Sequence, residues 1–438
     1  MPPQLTSIGV DEALAYILGH FAPLPAEPTP LLEATGRVLA APVVAGLTLP
    51  PFANSAMDGY AVRAEDVAGA SLDAPARLRV IGDVAAGAVG DRPVTPGTAI
   101  RIMTGAPVPP GADAVVRFEE TSEGQALTLD GAAGGSGGRA TWHASSSDGN
   151  VAIYKPVAAG DNVRPAGEDV RAGATVLDAG TVLRPFEIAL LAALGLDTVP
   201  THRRPRVVIL STGDELVPPG GALGPGQIHD SNGPAVAAQV QAWGGVPLVL
   251  GIARDTLATL EAKIAEGLAQ RPDLIITSAG VSVGDYDMVK DVLDREGTMH
   301  FWQVRMKPGK PLAFGRIGGV PLLGLPGNPV SSMVSMELFA RPTLRLMLGH
   351  TRLARPTVPV TVTAPIPNLS GRDFYIRVLV RSGPDGGYMA DSTGEQGSGM
   401  ITSLTRGNAL LVIPAAVRLL EPGATTQAIM LDWNEEVF

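Results

Sequence analysis

Apolar residues at Val10, Leu14, Ile17, Leu18 and Phe21 recur at the helical period, and Asp11 and Glu12 fall in the first turn. The chain therefore opens on an amphipathic helix. The prolines between Ala22 and Pro30 must break it. From Leu31 to about Ile153 the pattern changes to short apolar runs punctuated by Gly and Pro. Leu78–Ile81, Thr98–Met103, Ala114–Phe118 and Ala126–Leu129 predict a small all-β module. Inside it, Gly131–Asn150 is of low complexity and reads as a mobile surface loop. From Val207 onward strands alternate with helices. Arg206–Leu210, Val246–Ile252, Asp273–Thr277 and Pro321–Leu325 predict buried strands, with helices over Pro234–Trp243, Thr256–Ala269 and about Pro329–Leu348. That alternation implies a mainly parallel three-layer α/β domain. Pro356–Phe438 returns to short strands, among them Val358–Val362, Phe374–Val380 and Ala409–Ile413, and predicts a C-terminal β-barrel-like domain. The fold class is multidomain α/β plus β, with β-rich domains flanking the α/β one.

Composition narrows the function. A length of 438 residues suggests about three domains. The 45% hydrophobic content supplies cores and excludes a disordered chain. A net charge of −10 argues against a nucleic-acid or anionic-membrane surface. No Lys or Arg precedes Arg37, so the start lacks the basic segment of a signal peptide, and no apolar run is long enough to span a membrane. The expectation is a soluble cytoplasmic protein. Cysteine is absent, which excludes disulfides, thiolate nucleophiles and Cys-based metal sites, and the histidines are scattered. A metal here would be a hard cation on carboxylates, such as Mg²⁺.

Ligands of open α/β sheets sit beyond the carboxyl ends of the strands, and three loops there are rich in functional groups. Ser211-Thr212-Gly213-Asp214-Glu215 offers a glycine for close phosphate approach and two carboxylates for a cation; solvated acids at a strand end are the plainer reading. Ser278-Ala279-Gly280 leads through Gly284 to Asp285 and Asp287, of which one suits a helix N-cap and the other a phosphate or metal role. Pro326-Gly327-Asn328-Pro329 reads as a helix start, Asn328 the N-cap and Pro329 the first helical residue, offering N–H groups to an anion. Lys307 and Lys310 sit on a proline-stiffened turn, suited to oxyanions or simply solvated. Asp58 before Gly59 is, by itself, only a turn. No nucleophile–His pairing is evident, so the set describes a phosphorylated or oxyanionic ligand with Mg²⁺ and disfavours acyl transfer.

The segments NSAMDGYA, RIMTGAPVPPGADAVV, NVRPAGEDV, STGDEL, GVSVGDYD, KPGKP and LPGNPVS stand in the order seen in molybdopterin molybdenumtransferases, the MoeA proteins and gephyrin E domains, and the chain resembles that family from Val10 to Asn408. The resemblance implies a homodimer with active sites between subunits, and an α/β domain like that of the molybdopterin adenylyltransferases. It implies insertion of molybdate into adenylylated molybdopterin, with Mg²⁺-dependent cleavage and release of AMP. It also implies four domains: 1–50 with 155–200 for linkage and dimerisation, 51–154 a β domain carrying loop 131–150, 201–350, and 351–438. Asp58 and Thr104 would reach in from the partner subunit, and Asp169 would be a further functional acid. Glu215, Asp255 and Asp287 would handle Mg²⁺ and the nucleotide phosphate. Lys307, Lys310, Pro326, Pro329, Ser331, Arg377 and Ser398 would hold molybdate or the pterin phosphate, with Gly213, Gly280, Gly284 and Gly327 shaping the loops. Transient contact with a molybdopterin adenylyltransferase and with molybdoenzyme maturation proteins is implied as well. Ala279 departs from the family's usual glycine, and 131–150 resembles an insertion. Competing readings are an adenylyltransferase, whose Thr-Gly-Gly-Thr-Gly loop is missing here; a scaffold protein; and the same chemistry on tungstate.

Overall fold

A computed structural model describes residues 7–125, 149–279 and 288–433. The chain forms two compact units: one of Pro42–Asp178 with Ala189–Leu196, the other of Met1–Ala41, Ala179–Ile188 and Asp197–Phe438. The residues 1–50 and 155–200 are thereby shared between both.

The smaller unit is β-rich. Its five-stranded sheet runs Ala114–Arg117, Gly59–Val62, Thr98–Ile102, Ala76–Val84, Asn150–Ile153. Burial of Tyr60, Val62, Val116 and Val151 on one face, and of Ala61, Val115 and Ile100 on the other, follows the two-residue alternation of strands. Asn150, expected in a mobile loop, begins a strand paired at Arg79. The rest of that loop through Ser147 and Asp148, and the expected strand Ala126–Leu129, lie outside the described residues.

In the larger unit, α1 (Val10–Leu18) buries Val10, Ala13 and Ile17 and ends ahead of the proline run, as its pattern requires. The central sheet comprises β1 (Arg206–Thr212), β2 (Val246–Ala253), β3 (Leu274–Ser278), β4 (Gly297–Gln303), β5 (Pro311–Ile317) and β6 (Val320–Leu325). The order is β2-β1-β3-β6-β5-β4; β2, β1, β3 and β6 are parallel, and β5 and β4 extend the edge antiparallel. That antiparallel pair was not expected. Val207 and Ile209 face one hydrophobic cluster while Val208 and Leu210 face another, so both surfaces of β1 are covered. The covering helices are α2 (Asn232–Ala242), α3 (Leu257–Ala269) and α4 (Met288–Glu296).

The expected helix from Pro329 is interrupted. α5 (Pro329–Ser335) passes through a π turn at Met336–Ala340 into α6 (Arg341–Met347). Pro342 has no N–H for the ordinary ladder, and a widened turn immediately before it accommodates the loss. The C-terminal strands β7 (Thr357–Val362), β8 (Asp373–Ser382), β9 (Tyr388–Ser392), β10 (Ala409–Ile413) and β11 (Thr425–Met430) pair in the order β8-β9-β7-β11-β10, and β8 also pairs with β10. The sheet therefore closes on itself as a barrel without free edges.

At the end of β3, Ala279 holds φ 71°, a left-handed conformation that its methyl group opposes. Ala279→Gly removes this strain and should stabilise the larger unit by about 1 kcal/mol. The expected outcome is an upward shift of roughly 2 °C in its calorimetric transition; an unchanged or lower transition would show the methyl contact to be worth more than the strain.

Candidate functional site

The strand order 2-1-3 places the reversal of winding between β1 and β3, and the loops after these strands open over that crevice. Gly213, immediately after β1, has φ 149°, and a side chain there would lie 2.3 Å from Glu215 Oε2. Only glycine lets that carboxylate fold against the backbone. Asp214 and Asp255 hold each other: the Asp214 N–H donates to Asp255 Oδ2 at 3.2 Å, and the Asp255 N–H donates to Asp214 Oδ1 at 3.2 Å. Arg254 Nη1 donates to the Asp214 carbonyl. The acids of the two loops are therefore locked into one rim after β1 and β2.

Asn232, at the start of α2, is a residue that no sequence motif had singled out. Its Nδ2 donates to Ser278 Oγ at 2.8 Å and to the Gly327 carbonyl at 2.8 Å, tying the end of β3 to the loop after β6. Pro326 is buried in that loop, Gly327 exposed and Pro329 half-buried. A side chain on Gly327 would come within 3.2 Å of the Ala279 methyl, so Ala279 and Gly327 are fitted to each other. Asn328 occupies the N-cap position with extended backbone, yet its side chain makes no capping bond. The Val330 N–H is taken by the Ser398 carbonyl at 3.0 Å, which fastens the helix start to the barrel.

A cavity of about 490 Å³ lies where the Met306–Pro311 turn faces the barrel. Lys307, Lys310, Ser331, Arg372, Gln396 and Ser398 supply its polar lining. Three cations and no acid border it, a lining whose chemistry suits an anion. Its geometry is held at several points. Met306-Lys307 runs parallel to Asp373-Phe374 of β8. Lys307 Nζ sits 4.3 Å from the Phe374 ring centroid. Gly309 has φ 100°, and a side chain there would strike Met306 Cε and Ser335 Oγ, both at 2.9 Å.

Arg377 is placed differently from expectation. It is 1% exposed and is not among the residues lining the cavity. Its Nη2 donates to the Gly397 carbonyl at 3.0 Å and its Nε to Ser403 Oγ at 2.9 Å, while its N–H donates to Gln396 Oε1 at 3.0 Å. It holds the 396–398 wall from behind. Burial lowers its pKa to about 10, still far above neutrality, so the guanidinium stays charged. The arginine that lines the cavity is Arg372, five positions earlier on the same strand approach, and residue type alone could not separate the two. The alternation along β8, with Phe374, Ile376 and Val378 in the barrel core, was the signal available.

Of the remaining predicted residues, Asp58 and Thr104 meet in the smaller unit: Asp58 Oδ1 accepts from the Thr104 N–H at 2.7 Å and from Thr104 Oγ1 at 2.8 Å. Asp169 is exposed in the same unit, its N–H donating to the Leu49 carbonyl. Asp287, Gly280 and Gly284 lie outside the described residues. Among the described residues no three His, Asp or Glu side chains form a metal-ligand group. Glu215 and Asp255 are nonetheless hard oxygen donors, and Mg²⁺ is commonly held by one or two carboxylates beside substrate phosphates and water.

Comparison with known proteins shows the family of the chain. Three family models match in succession: the MoeA N-terminal region (domain I and II) over residues 8–195, a probable molybdopterin binding domain over 208–346, and the MoeA C-terminal region (domain IV) over 359–431. The chain is 41% identical over 409 residues to molybdopterin molybdenumtransferase 2 of Mycobacterium tuberculosis, covering 92% of this chain and 94% of that one. It is 34% identical to the molybdopterin molybdenumtransferase of Bacillus subtilis, covering 98% and 96%. A molybdopterin biosynthesis MoeA protein from Pyrococcus horikoshii has a similar structure, with TM-score 0.76, 29% identity, and 97% and 100% of the two chains covered.

If Arg377 builds the cavity wall, Arg377→Met should weaken binding of a tetrahedral oxyanion such as sulfate about tenfold, equivalent to ~1.4 kcal/mol, in calorimetric titration. Loss of its bonds should also cost about 1–3 kcal/mol of stability. A destabilised variant with unchanged sulfate affinity would leave Arg377 with a structural role only.

Proposed function

Because the chain belongs to the molybdopterin molybdenumtransferase family, and so is a transferase of molybdenum cofactor biosynthesis, we propose that it inserts molybdate into adenylylated molybdopterin with release of AMP. The observation that carries this reading is the cavity with three cations, two hydroxyls and no acid. Molybdate is a tetrahedral dianion. Lys307, Lys310 and Arg372 would offset its charge, and Ser331 and Ser398 would donate to its oxygens, with the 396–398 wall held from behind by Arg377. The lysine ammonium is pinned over Phe374, so it is positioned before the anion arrives. No cysteine is needed, because the pterin brings its own sulfurs.

Glu215 and Asp255, with Asp287, would hold Mg²⁺; when bound, the ion offsets charge on the phosphoanhydride as it is cleaved. The protein's own part is to present these acids at a fixed rim: the reciprocal Asp214–Asp255 bonds orient one carboxylate, and the Gly213 backbone makes room for the other. Asp58 and Thr104 would act on the partner subunit's substrate in a homodimer. Their mutual bonds fix the carboxylate and leave Oδ2 to meet a ligand. Asp169 belongs to the same proposed surface. The four-domain partition, cytoplasmic location, and transient contact with an adenylyltransferase and with maturation proteins complete the reading. No helix among the described residues is long and apolar enough to cross a membrane.

Tungstate matches molybdate in shape and charge, so the cavity suits both; direct competition during cofactor formation separates them. Purified protein given adenylylated molybdopterin and Mg²⁺ should release AMP in a molybdate-dependent manner. Tight binding without release, under conditions where a known insertase works, would move the protein to a carrier role. Lys307→Ala should raise the molybdate concentration needed for half-maximal turnover about tenfold or more, by removing a charge-assisted contact of about 1.5–3 kcal/mol. An unchanged molybdate dependence would assign Lys307 to the pterin phosphate.

A further inference from the structure

The acid rim after β1 and the oxyanion cavity beside the barrel have no residue in common, yet a chain of bonds runs from one to the other through the start of α2. At the rim, the Ile228 N–H donates to the Glu215 carbonyl at 2.8 Å, and Leu216-Val217 runs parallel to Ile228-His229. The Asp230 N–H then donates to the Val217 carbonyl at 2.9 Å, while Asp230 Oδ1 accepts from the Gly233 N–H at 3.0 Å in the first turn of α2. Asp230 thereby fixes how the helix leaves the strand bridge. Asn232 stands on that first turn and reaches the far side, where its Nδ2 donates to the Gly327 carbonyl and to Ser278 Oγ. Beyond Gly327, Val330 is fastened to Ser398, and the next residue, Ser331, lines the cavity.

Stability alone does not account for an asparagine here. Asn232 is 8% exposed, and its Oδ1 is buried without a hydrogen-bond partner among the described residues. Burying an amide oxygen unpaired costs free energy, and a leucine of similar size would avoid that cost. Nor does α2 need the residue as an anchor, because Val236 and Val240 already pack it into the cluster that holds Val330 and Val334 of α5. What an apolar side chain could not supply is a donor. The Gly327 carbonyl can only accept, so it fixes which end of the Asn232 amide faces the loop. Gly327 is exposed, so water can replace the donor with little loss of stability, but water would not hold the loop in one place.

We propose that Asn232 is a positioning residue for the oxyanion cavity. Through the Gly327 carbonyl it sets where the segment 327–331 stands, and so where Ser331 meets the lysine turn, before an anion arrives. The role rests on the reading of that cavity as the molybdate site, and it belongs to a residue outside the cavity's lining. The same turn of α2 is tied through Asp230 to the segment that carries Glu215. Rim and cavity are therefore both placed from a single turn of helix.

The test compares full-length wild-type protein with Asn232→Leu and Val240→Ala. Each is titrated calorimetrically with molybdate, and AMP release from adenylylated molybdopterin is followed as molybdate is varied. Val240→Ala is the stability control, since it opens a cavity near the other end of α2 and lines neither site. Asn232→Leu keeps the volume and removes only the donor. It should weaken molybdate binding about tenfold and raise the half-saturating molybdate concentration by the same factor, with AMP release at saturating molybdate within about twofold of wild type. Val240→Ala should melt at a lower temperature than Asn232→Leu and keep wild-type molybdate affinity. Wild-type affinity in Asn232→Leu would overturn the proposal. So would equal losses of affinity in the two variants, which would assign the effect to destabilisation. If wild-type protein binds molybdate but releases no AMP, the insertion reading fails and the calorimetric comparison still decides the role of Asn232. If wild-type protein binds no molybdate, the reading of the cavity falls and the role of Asn232 falls with it.

Discussion

The proposed oxyanion site depends on one short register. Met306-Lys307 pairs in parallel with Asp373-Phe374 of β8, and this two-residue ladder is where the α/β sheet meets the barrel. Every wall of the cavity follows from it. The lysine turn arrives from one side, Arg372 and the 396–398 segment from the other, and Ser331 from the helix start between. The Val330–Ser398 backbone bond is a second fastening at the same seam. A site whose parts come from three elements must be preorganised within fractions of an ångström, and here strands and a closed barrel supply the rigidity that free loops would lack.

Charge is then distributed against the average of the molecule. A chain with net charge −10 repels a dianion at long range, so its binding energy must come from short-range contacts within the cleft. Three cations without a neighbouring acid in the lining meet that need. The buried Arg377 is a fourth positive charge behind the wall; burial lowers its pKa only to about 10, and its bonds to Gly397 and Ser403 replace part of the water it has lost. It positions the wall and adds to the field the ligand meets.

Much of this was legible in the sequence, for identifiable reasons. The parallel strands are continuous runs of β-branched and leucine residues, and both faces of Arg206–Thr212 are buried as such a run requires. The helix start at Pro329 was legible because Pro can open a helix but not continue one. The strands Gly297–Gln303 and Pro311–Ile317 were not: the first mixes polar, aromatic and glycine residues, and the second follows directly on the lysine turn that drew attention for its chemistry. Arg372 and Arg377 flank the same apolar segment; the alternation that puts Phe374, Ile376 and Val378 in the barrel core puts Arg377 on the opposite face, and nothing local to the sequence shows that this face is covered as well. The π turn escaped because Pro342 marks a disturbance without specifying its form.

Asn232 illustrates a deeper limit. Its role is to join the end of β3 to the loop after β6 through Ser278 Oγ and the Gly327 carbonyl, partners 46 and 95 positions away in the chain. Nothing local distinguishes it from an ordinary helix-start asparagine. Yet the Gly327 carbonyl is held by Asn232, and a side chain at 327 would press on the Ala279 methyl, so the loop from which α5 springs is tied by a hydrogen bond at a point where the neighbouring methyl favours glycine. Replacing the methyl by hydrogen would relieve the backbone at 279 and widen the space beside Gly327 at the same time. Backbone strain at 279 and the preference for glycine at 327 are thus two consequences of one methyl group, and relieving the first would relax the second.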